Sequence, residues 1–153
     1  MIKVMFVCHG NICRSPMAEF IFKDMVHKAG LEDKFLVRSS AVSFEEIGNP
    51  VYPPAKEKLK EKGISCVGKR AVHFEREDYF DNDYILVMDN SNMRNILRIT
   101  GGENDGRIKL LLSFTGVDAQ VSDPWYSGNF DLAYDDIYRG CKALLEHIKS
   151  RDA

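Results

Sequence analysis

A cysteine and an arginine bracket five residues near the start of the chain, in the segment 8–15 with the sequence CHGNICRS. Such a loop, called the cysteine loop below, can turn its backbone N–H groups toward an oxyanion, and the guanidinium of Arg14 can bind two of its oxygens. We expect Gly10 to supply a backbone turn that other residues do not adopt. Cys8 would lie at the base of the loop, where the same donors stabilise a thiolate that can attack phosphorus.

The spacing of the two residues is weak evidence until their neighbours are included. A cysteine and an arginine at this spacing arise by chance in about one chain in four of this composition. Requiring a glycine two residues after the cysteine and a serine directly after the arginine lowers that chance to about one in a thousand. The alternative is a tight strand-to-helix turn around an inert buried cysteine, which the combination disfavours.

A carboxylic acid that could donate a proton to a leaving group lies far along the chain. Asp123 precedes Pro124 in a loop predicted over 116–129. A carboxylic acid is a suitable general acid, and the neighbouring proline would stiffen the loop. An Asp-Pro pair by itself usually marks only a turn. The interpretation therefore depends on the cysteine loop.

Alternating strands and helices must bring these loops together. Residues 2–8 form a nearly continuous apolar run, which is typical of a buried parallel strand. A helical stripe follows over 15–29, with Ser15 as a predicted N-cap before Pro16. The pattern further predicts strands over 34–42, 83–88 and 107–112, and helices over 55–62, 91–100 and 130–149. This order indicates an α/β domain with a parallel sheet, whose ligand site lies at the carboxyl ends of the strands.

Composition narrows the class of protein. The chain has 153 residues, which predicts one domain spanning 1–153, and a formal net charge of −2, which does not favour binding to nucleic acid or to an anionic membrane. Neither a long apolar run nor a signal peptide is evident, so we expect a cytoplasmic protein without a membrane span. The four cysteines lack disulfide-scaffold or zinc spacing, and Cys66 and Cys141 are expected in the core. We expect no metal and no cofactor.

The run VCHGNICRSPMAE over 7–19 resembles the signature of the low-molecular-weight protein tyrosine phosphatases. DPWY over 123–126 resembles the general-acid loop of that family, and SSAVS, EIGNP and DYILVMDNSN resemble further family segments in the same order. The resemblance spans the chain. It implies a four-stranded parallel twisted sheet with helices on both faces, a phosphate-binding loop after the first strand, and no metal.

The resemblance also implies a role for particular residues. Cys8 would attack phosphorus and form a cysteinyl-phosphate, Arg14 and the amides of 9–14 would hold the phosphoryl oxygens, and Asp123 would act as general acid and then as general base. The residues that it places around the substrate are His9, Gly10, Asn11, Ile12, Cys13, Trp125 and Tyr126.

Supporting residues follow from the same resemblance. Asn11 resembles an asparagine that braces the loop, and Ser15 resembles a hydroxyl donor to the thiolate. Ser40 and Asp89 resemble members of the network that holds Asn11, with local capping as the alternative for both. The family also suggests that Cys8 forms a reversible disulfide with Cys13 under peroxide, which would protect Cys8 from irreversible oxidation.

Three chemistries share the implied fold, and the residues favour phosphotyrosine in proteins or peptides as the substrate. Ile12 offers an apolar surface where the related arginine phosphatases carry threonine, and Trp125 with Tyr126 can flank a phenyl ring. Protein-arginine phosphatase is the alternative activity, and a weakly active anion-binding module is the alternative class. An arsenate reductase is disfavoured because Cys66 and Cys141 are far apart in sequence. Inorganic phosphate and other oxyanions would inhibit.

Several positions depart from the family pattern. His9 replaces an apolar or small residue, and either contacts acidic substrate residues or the phosphate or is a solvated rim histidine. The segment Lys69–His73 replaces a His-x-Ala-Arg pattern, and the sequence leaves open whether Lys69 or His73 takes the place of that histidine. The loop Ser43–Asn49 is shorter by one residue. Exposed aromatics such as Tyr126 could also support weak self-association.

Overall fold

Four parallel strands form the centre of the computed structural model, which describes residues 1–152. Their order in the sheet is β2-β1-β3-β4. The strands are β1 (Ile2–Cys8), β2 (Phe35–Ala41), β3 (Tyr84–Val87) and β4 (Ile108–Leu110). Pairing is parallel throughout. The predictions of an α/β fold and of a four-stranded parallel sheet are therefore confirmed.

Helices cover both faces of this sheet. They are α1 (Arg14–Lys28), α2 (Pro53–Glu61), α3 (Arg76–Asp81), α4 (Asn90–Ile99), α5 (Pro124–Ser127) and α6 (Phe130–Asp152), with 3-10 turns at Glu32–Lys34 and Leu111–Thr115. Helices α1, α2 and α6 pack on one face and α3 and α4 on the other. In β1, Val4 and Phe6 face the first layer whereas Met5 and Val7 face the second, so the strand is apolar on both sides.

Two helices and one helix start differ from the sequence predictions. Helix α3 was not predicted, and α5 lies inside the predicted loop 116–129. Helix α1 begins at Arg14 with Cys13 as its N-cap, and no side chain caps it. The prediction of Ser15 as the N-cap is wrong because its hydroxyl lies 2.9 Å from Cys8 Sγ instead.

The strand order places the loops of interest at one edge. The chain leaves β1 toward β2 on one side and later returns to β3 on the other side of β1. Ligands of open α/β sheets bind at such a switch point, beyond the carboxyl ends of the strands. The cysteine loop follows β1 and Asp89 follows β3 at this edge.

None of the helices in residues 1–152 is long and apolar enough to span a membrane.

Candidate active site

The sulfur of Cys8 is enclosed by polar groups of its own loop. Cys8 is the last residue of β1 and is 3% exposed. Its Sγ lies 2.9 Å from the Oγ of Ser15 and accepts a 3.3 Å hydrogen bond from the backbone N–H of Asn11. Both contacts can stabilise a thiolate.

Asn11, not Gly10, makes the tight turn of the cysteine loop. Its φ of 59° is the only positive value at a residue other than glycine in the described chain, and asparagine is one of the few residues that tolerate this region. The expected turn at Gly10 is wrong, since its φ is not in the left-handed region. A Cβ at Gly10 would lie 3.3 Å from Cγ of Glu46 and 3.7 Å from Cγ1 of Ile12, so glycine here permits close packing.

Several backbone N–H groups of the loop are available to an anion. Within the described residues, no protein group accepts a hydrogen bond from the amides of Gly10, Ile12 or Cys13. The 15-residue helix α1 begins directly after them and adds the positive end of its dipole. These donors and the Cys8 sulfur belong to the same short loop, which gives the loop the character of an oxyanion site.

Arg14 connects the cysteine loop to two other loops. Its Nη1 donates to Oδ2 of Asp89 at 2.8 Å and to the carbonyl oxygen of Val121 at 2.9 Å. Its Nη2 lies 3.5 Å from Oδ2 of Asp123. Burial alone would lower the pKa of Arg14, but the negative charges of Cys8, Asp89 and Asp123 raise it above its ordinary value. The guanidinium is therefore held as a cation at the edge of the sheet.

Asp123 lies at the start of α5, on the loop that Arg14 contacts. Its Oδ1 accepts a 3.1 Å hydrogen bond from the backbone N–H of Trp125, which caps the helix, and its side chain is 30% exposed. The same loop is tied to the end of β3 by a 2.8 Å bond from the N–H of Val121 to the carbonyl of Met88. The carboxyl group thus has a fixed place at the mouth of the site.

A chain of hydrogen bonds fixes the direction in which Ser15 donates. The hydroxyl of Ser39 donates to Glu19 Oε1 at 2.6 Å, so its oxygen accepts from Nδ2 of Asn11 at 3.0 Å. The second hydrogen of Nδ2 goes to the Oγ of Ser15 at 2.8 Å. Ser15 accepts there and keeps its own hydrogen, for which Cys8 Sγ at 2.9 Å is a closer acceptor than the carbonyl oxygen of Ser40 at 3.5 Å.

Two lysines contact Glu19, which lies at the far end of this chain of hydrogen bonds. Glu19 is 5% exposed, and its Oε2 lies 2.5 Å from the Nζ of Lys23. The Nζ of Lys69 lies 3.6 Å from Oε1 of Glu19 and donates to the carbonyl oxygen of Ser39 at 3.0 Å. Burial lowers the pKa of Lys69, and the adjacent carboxylate opposes that shift. The Glu19 carboxyl group thus contacts two ammonium groups in addition to the hydroxyl of Ser39.

The structure answers which residue of the 69–73 segment joins this network. Lys69 does so through its ammonium group, and the N–H of Val72 donates to Oδ1 of Asn11 at 3.1 Å. His73 lies elsewhere: its ring stacks on Phe44 with centroids 3.7 Å apart, and its Nδ1 is 3.1 Å from Glu75. The sequence had left both candidates open.

Ser40 does not hold Asn11, so that prediction is wrong. Its hydroxyl points to the other face of β2 and contacts Sδ of Met5 at 3.2 Å, whereas Ser39 contacts Asn11. Successive side chains of a strand point to opposite faces, which separates the two neighbouring serines. Only the carbonyl oxygen of Ser40 reaches the site, 3.5 Å from the Oγ of Ser15.

Asp89 is also not part of the network that holds Asn11, so that prediction is wrong. It is the N-cap of α4, where Oδ1 accepts from the N–H of Asn92 at 2.7 Å, and its Oδ2 binds Arg14. The capping interpretation is therefore confirmed for this residue. The pairing with Arg14 adds a role in holding the guanidinium.

A cleft of about 620 Å³ opens above the cysteine loop. Ile12 is buried and packs with Ala71, while Trp125 and Tyr126 are exposed at the rim. Tyr52 supports Trp125, with ring centroids 4.7 Å apart. The predicted residues that line the cleft are Cys8, His9, Gly10, Ile12, Cys13, Arg14, Asp89, Asp123, Trp125 and Tyr126. Asn11 instead lies beneath the loop, 1% exposed.

Glu45 and Glu46 line the same cleft and were not identified from the sequence. The Nε2 of His9 lies 3.0 Å from Oε2 of Glu45, so the histidine faces an acidic residue of the protein itself. Oε2 of Glu46 accepts a 2.6 Å hydrogen bond from Nδ2 of Asn49. Both glutamates belong to the short loop between β2 and α2; Glu46 begins the EIGNP segment quoted above, but neither carboxylate was assigned to the cleft from the sequence.

The remaining cysteines are all free thiols, and all are buried. Burial, followed by the negative charge of Cys8, raises the pKa of Cys13 to about 12. Burial likewise raises the pKa of Cys66 and of Cys141. Cys13 lines the cleft next to the loop amides, whereas Cys66 and Cys141 belong to the core, as predicted.

The fold and the site together define a class of α/β proteins with a cysteine loop at the carboxyl edge of a parallel sheet, and comparison with known proteins gives the family. Residues 3–153 match the family model for low molecular weight phosphotyrosine protein phosphatase. The chain is 42% identical to the low molecular weight protein-tyrosine-phosphatase YfkJ of Bacillus subtilis over 97% of each sequence. It is 37% identical to the low molecular weight phosphotyrosine protein phosphatase of Sus scrofa over 95% of each.

Solved structures agree with this result. The crystal structure of Bacillus subtilis YfkJ matches with a TM-score of 0.96 at 41% identity, covering 100% of this chain and 98% of that one. An arginine phosphatase from drosophila matches with a TM-score of 0.88 at 33% identity, covering 97% of this chain and 98% of that one. The chain belongs to the low-molecular-weight phosphotyrosine protein phosphatase family, a family of enzymes.

Replacing Ser39 tests the hydrogen-bond chain. In Ser39→Ala, Glu19 loses a hydrogen-bond donor and Asn11 loses an acceptor, both in a buried place. We expect this loss to lower the free energy of unfolding by about 1–3 kcal/mol. We expect the Tm to fall by roughly 2–10 °C and iodoacetamide to alkylate Cys8 more slowly near pH 6, because Ser15 is no longer oriented. Thermal denaturation and mass spectrometry measure both effects.

Ser40→Ala is the matched control, since it removes the neighbouring hydroxyl on the opposite face of β2, which contacts only a thioether. We expect this variant to resemble the wild type in both measurements. Equal effects of the two substitutions would contradict the orientation argument.

Proposed function

We propose that the protein hydrolyses phosphotyrosine in proteins or peptides through a cysteinyl-phosphate on Cys8. One observation carries this proposal: Cys8 lies in a loop with available amides, beside Arg14, whose guanidinium is 3.5 Å from Asp123. A nucleophile, an anion clamp and a proton donor therefore share one cleft. The family membership of the chain supports the same activity.

The proposed reaction has two steps. In the first, the Cys8 thiolate attacks phosphorus, the bond between phosphorus and the tyrosyl oxygen breaks, and Asp123 donates its proton to that oxygen. In the second, a water molecule attacks phosphorus, Asp123 takes up the proton, and the bond between sulfur and phosphorus breaks. Inorganic phosphate and the free thiolate result, and Asp123 is protonated again. No metal or cofactor takes part in this sequence.

Arg14 and the loop amides would stabilise the charge that develops on the phosphoryl oxygens. Nη1 donates one hydrogen to Asp89 and the other to the carbonyl oxygen of Val121, and these two bonds hold the guanidinium in place. Nη2 has only the 3.5 Å contact to Asp123, so the Nε and Nη2 edge is the part that would bind the anion. The same donors would bind inorganic phosphate and other oxyanions as competitive inhibitors.

The walls of the cleft favour a phenyl ring over a guanidinium group. Ile12 presents an apolar side chain without a hydroxyl, and Trp125 with Tyr126 offers aromatic surfaces to stack on. Protein-arginine phosphatase remains the second candidate, because a similar structure is an arginine phosphatase from drosophila. The identity of the residue at position 12 is the feature that argues for phosphotyrosine.

Phosphate release from matched phosphotyrosine and phosphoarginine peptides tests the activity. We expect the wild type to turn over the phosphotyrosine peptide without added metal and with reductant present. The Cys8→Ser variant should lose at least about a thousandfold in kcat, because serine lacks the thiolate. Turnover of phosphoarginine alone would establish the second candidate instead. Turnover that survives Cys8→Ser would disprove the nucleophile.

Asp123→Ala tests the general acid. We expect kcat to fall by about 10²–10⁴ for phenyl phosphates with poor leaving groups and far less for good ones, since only poor leaving groups need the proton. Asp118→Ala is the matched control, because Asp118 is an exposed aspartate of the same loop. Equal losses across the leaving-group series would exclude Asp123 from this role.

We also propose that Cys13 protects Cys8 from irreversible oxidation. Peroxide would convert the Cys8 thiolate to a sulfenic acid, and the Cys13 thiol would displace water from it to form a disulfide. The raised pKa of Cys13, about 12, keeps it a thiol at neutral pH, so that Cys8 reacts with peroxide first, and Cys13 gives up its proton as it attacks the sulfenic acid. Both cysteines line one cleft.

Mild peroxide treatment followed by reductant tests this protection. We expect the wild type to form an 8–13 disulfide, detected by peptide mass spectrometry, and to recover activity with reductant. Cys13→Ser should instead be inactivated irreversibly, whereas Cys66→Ser, which alters a buried cysteine elsewhere, should behave like the wild type. Full recovery of Cys13→Ser would rule out the protective role.

A further inference from the structure

The charged residues that line the cleft are unequally divided between the two signs. Four acidic residues line it, Glu45, Glu46, Asp89 and Asp123, of which Asp123 carries the proton that it donates in the proposed reaction. Its two basic residues are His9 and Arg14. A cleft that admits a dianionic phosphoryl group is therefore acidic around the cysteine loop, and this charge must affect which peptides can approach.

Both basic side chains of the cleft already have acidic partners in the protein. Arg14 contacts Asp89 at 2.8 Å and Asp123 at 3.5 Å, and His9 contacts Glu45 at 3.0 Å. Within the described residues of the lining, no further lysine or arginine is present. An acidic residue beside the phosphotyrosine of a peptide would meet carboxylates without an unpaired cation.

Glu46 packs directly against Gly10 of the cysteine loop. Its Cγ lies 3.3 Å from the position of a Cβ at Gly10, and Asn49 holds its Oε2 at 2.6 Å. No lysine, arginine or histidine among residues 1–152 forms an ion pair with it. A fixed negative charge here opposes binding of a phosphoryl dianion, and a cation on the substrate would offset that repulsion.

Glu45 and the aromatic rim offer further contacts to such a cation. The side chain of Glu45 is 70% exposed, so it can exchange His9 for a basic group of a peptide. Trp125 and Tyr126 are also exposed, and aromatic faces attract lysine and arginine. Attraction for basic groups and repulsion of acidic ones act together in this cleft, which is how specific sites separate similar ligands.

We propose that Glu45 and Glu46 are specificity-determining residues that make the cleft select phosphotyrosine flanked by lysine or arginine over phosphotyrosine flanked by acidic residues. This inference rests on the proposed function, because it concerns the peptide around the phosphotyrosine in the same site. An exposed ion pair between one glutamate and a basic flanking residue changes kcat/KM by about two- to fivefold. Two glutamates together should give roughly a tenfold ratio between basic and acidic peptides.

Three phosphotyrosine peptides that differ only in their flanking residues test the proposal. The flanks are lysine, alanine or glutamate, and kcat/KM is measured for each with the intact protein. We expect the order basic, neutral, acidic, with a basic-to-acidic ratio of roughly ten that shrinks as salt is raised, because exposed charges are screened. The double variant Glu45→Gln with Glu46→Gln should bring the ratio close to one.

A matched pair of substitutions controls for net charge. Asp33→Asn with Glu146→Gln removes two exposed carboxylates, one before β2 and one near the end of α6 beside His147, and should retain the wild-type ratio. His9→Gln removes the partner of Glu45 and should raise the ratio further.

The outcomes separate this proposal from the proposed function. Cys8-dependent turnover with a ratio near one in the wild type, or a ratio that persists in the double glutamine variant, would overturn the proposal alone. Turnover of none of the three peptides would overturn the proposed function and this proposal with it. A wild-type preference that the double variant loses and the control pair keeps would support it.

Discussion

The carboxylate of Glu19 sets the direction of the hydrogen bonds that reach Cys8. Because Glu19 can only accept, Ser39 must donate to it, and Asn11 must then present its NH₂ group to Ser39 and Ser15. Ser15 is left with one hydrogen, and the sulfur of Cys8 is 2.9 Å away. Reversing any member of the chain would leave a buried polar group without a partner, which is costly inside a protein.

This chain depends on the fold because its members come from distant parts of the sequence. Helix α1 supplies Glu19 and Ser15, β2 supplies Ser39, and the loop before α3 supplies Lys69. The parallel pairing of β1 with β2 places Phe6 beside Ser39, on the face that α1 covers. The left-handed backbone of Asn11 is thus stabilised by contacts from three elements, and this offsets its local strain.

The sequence was sufficient to predict the position of residues that directly follow a recognisable strand. The cysteine loop follows a clear apolar strand, so Cys8 and Arg14 could be identified from the residues themselves, whereas the role of Asp123 was inferred from the resemblance of DPWY to a general-acid loop. Ser39 and Ser40 could not be told apart, because a shift of one residue in a strand exchanges its faces. Glu19 and Lys69 look like ordinary charged residues until packing buries them.

The contacts of Arg14 bear on the cost of binding an anion. Asp89 and the carbonyl of Val121 hold the guanidinium, and Val121 is tied in turn to the end of β3. A side chain that the scaffold already restrains loses little conformational entropy when a ligand binds. The arginine and the loop that carries Asp123 are preorganised relative to one another, so an oxyanion that binds Arg14 would require little rearrangement of either.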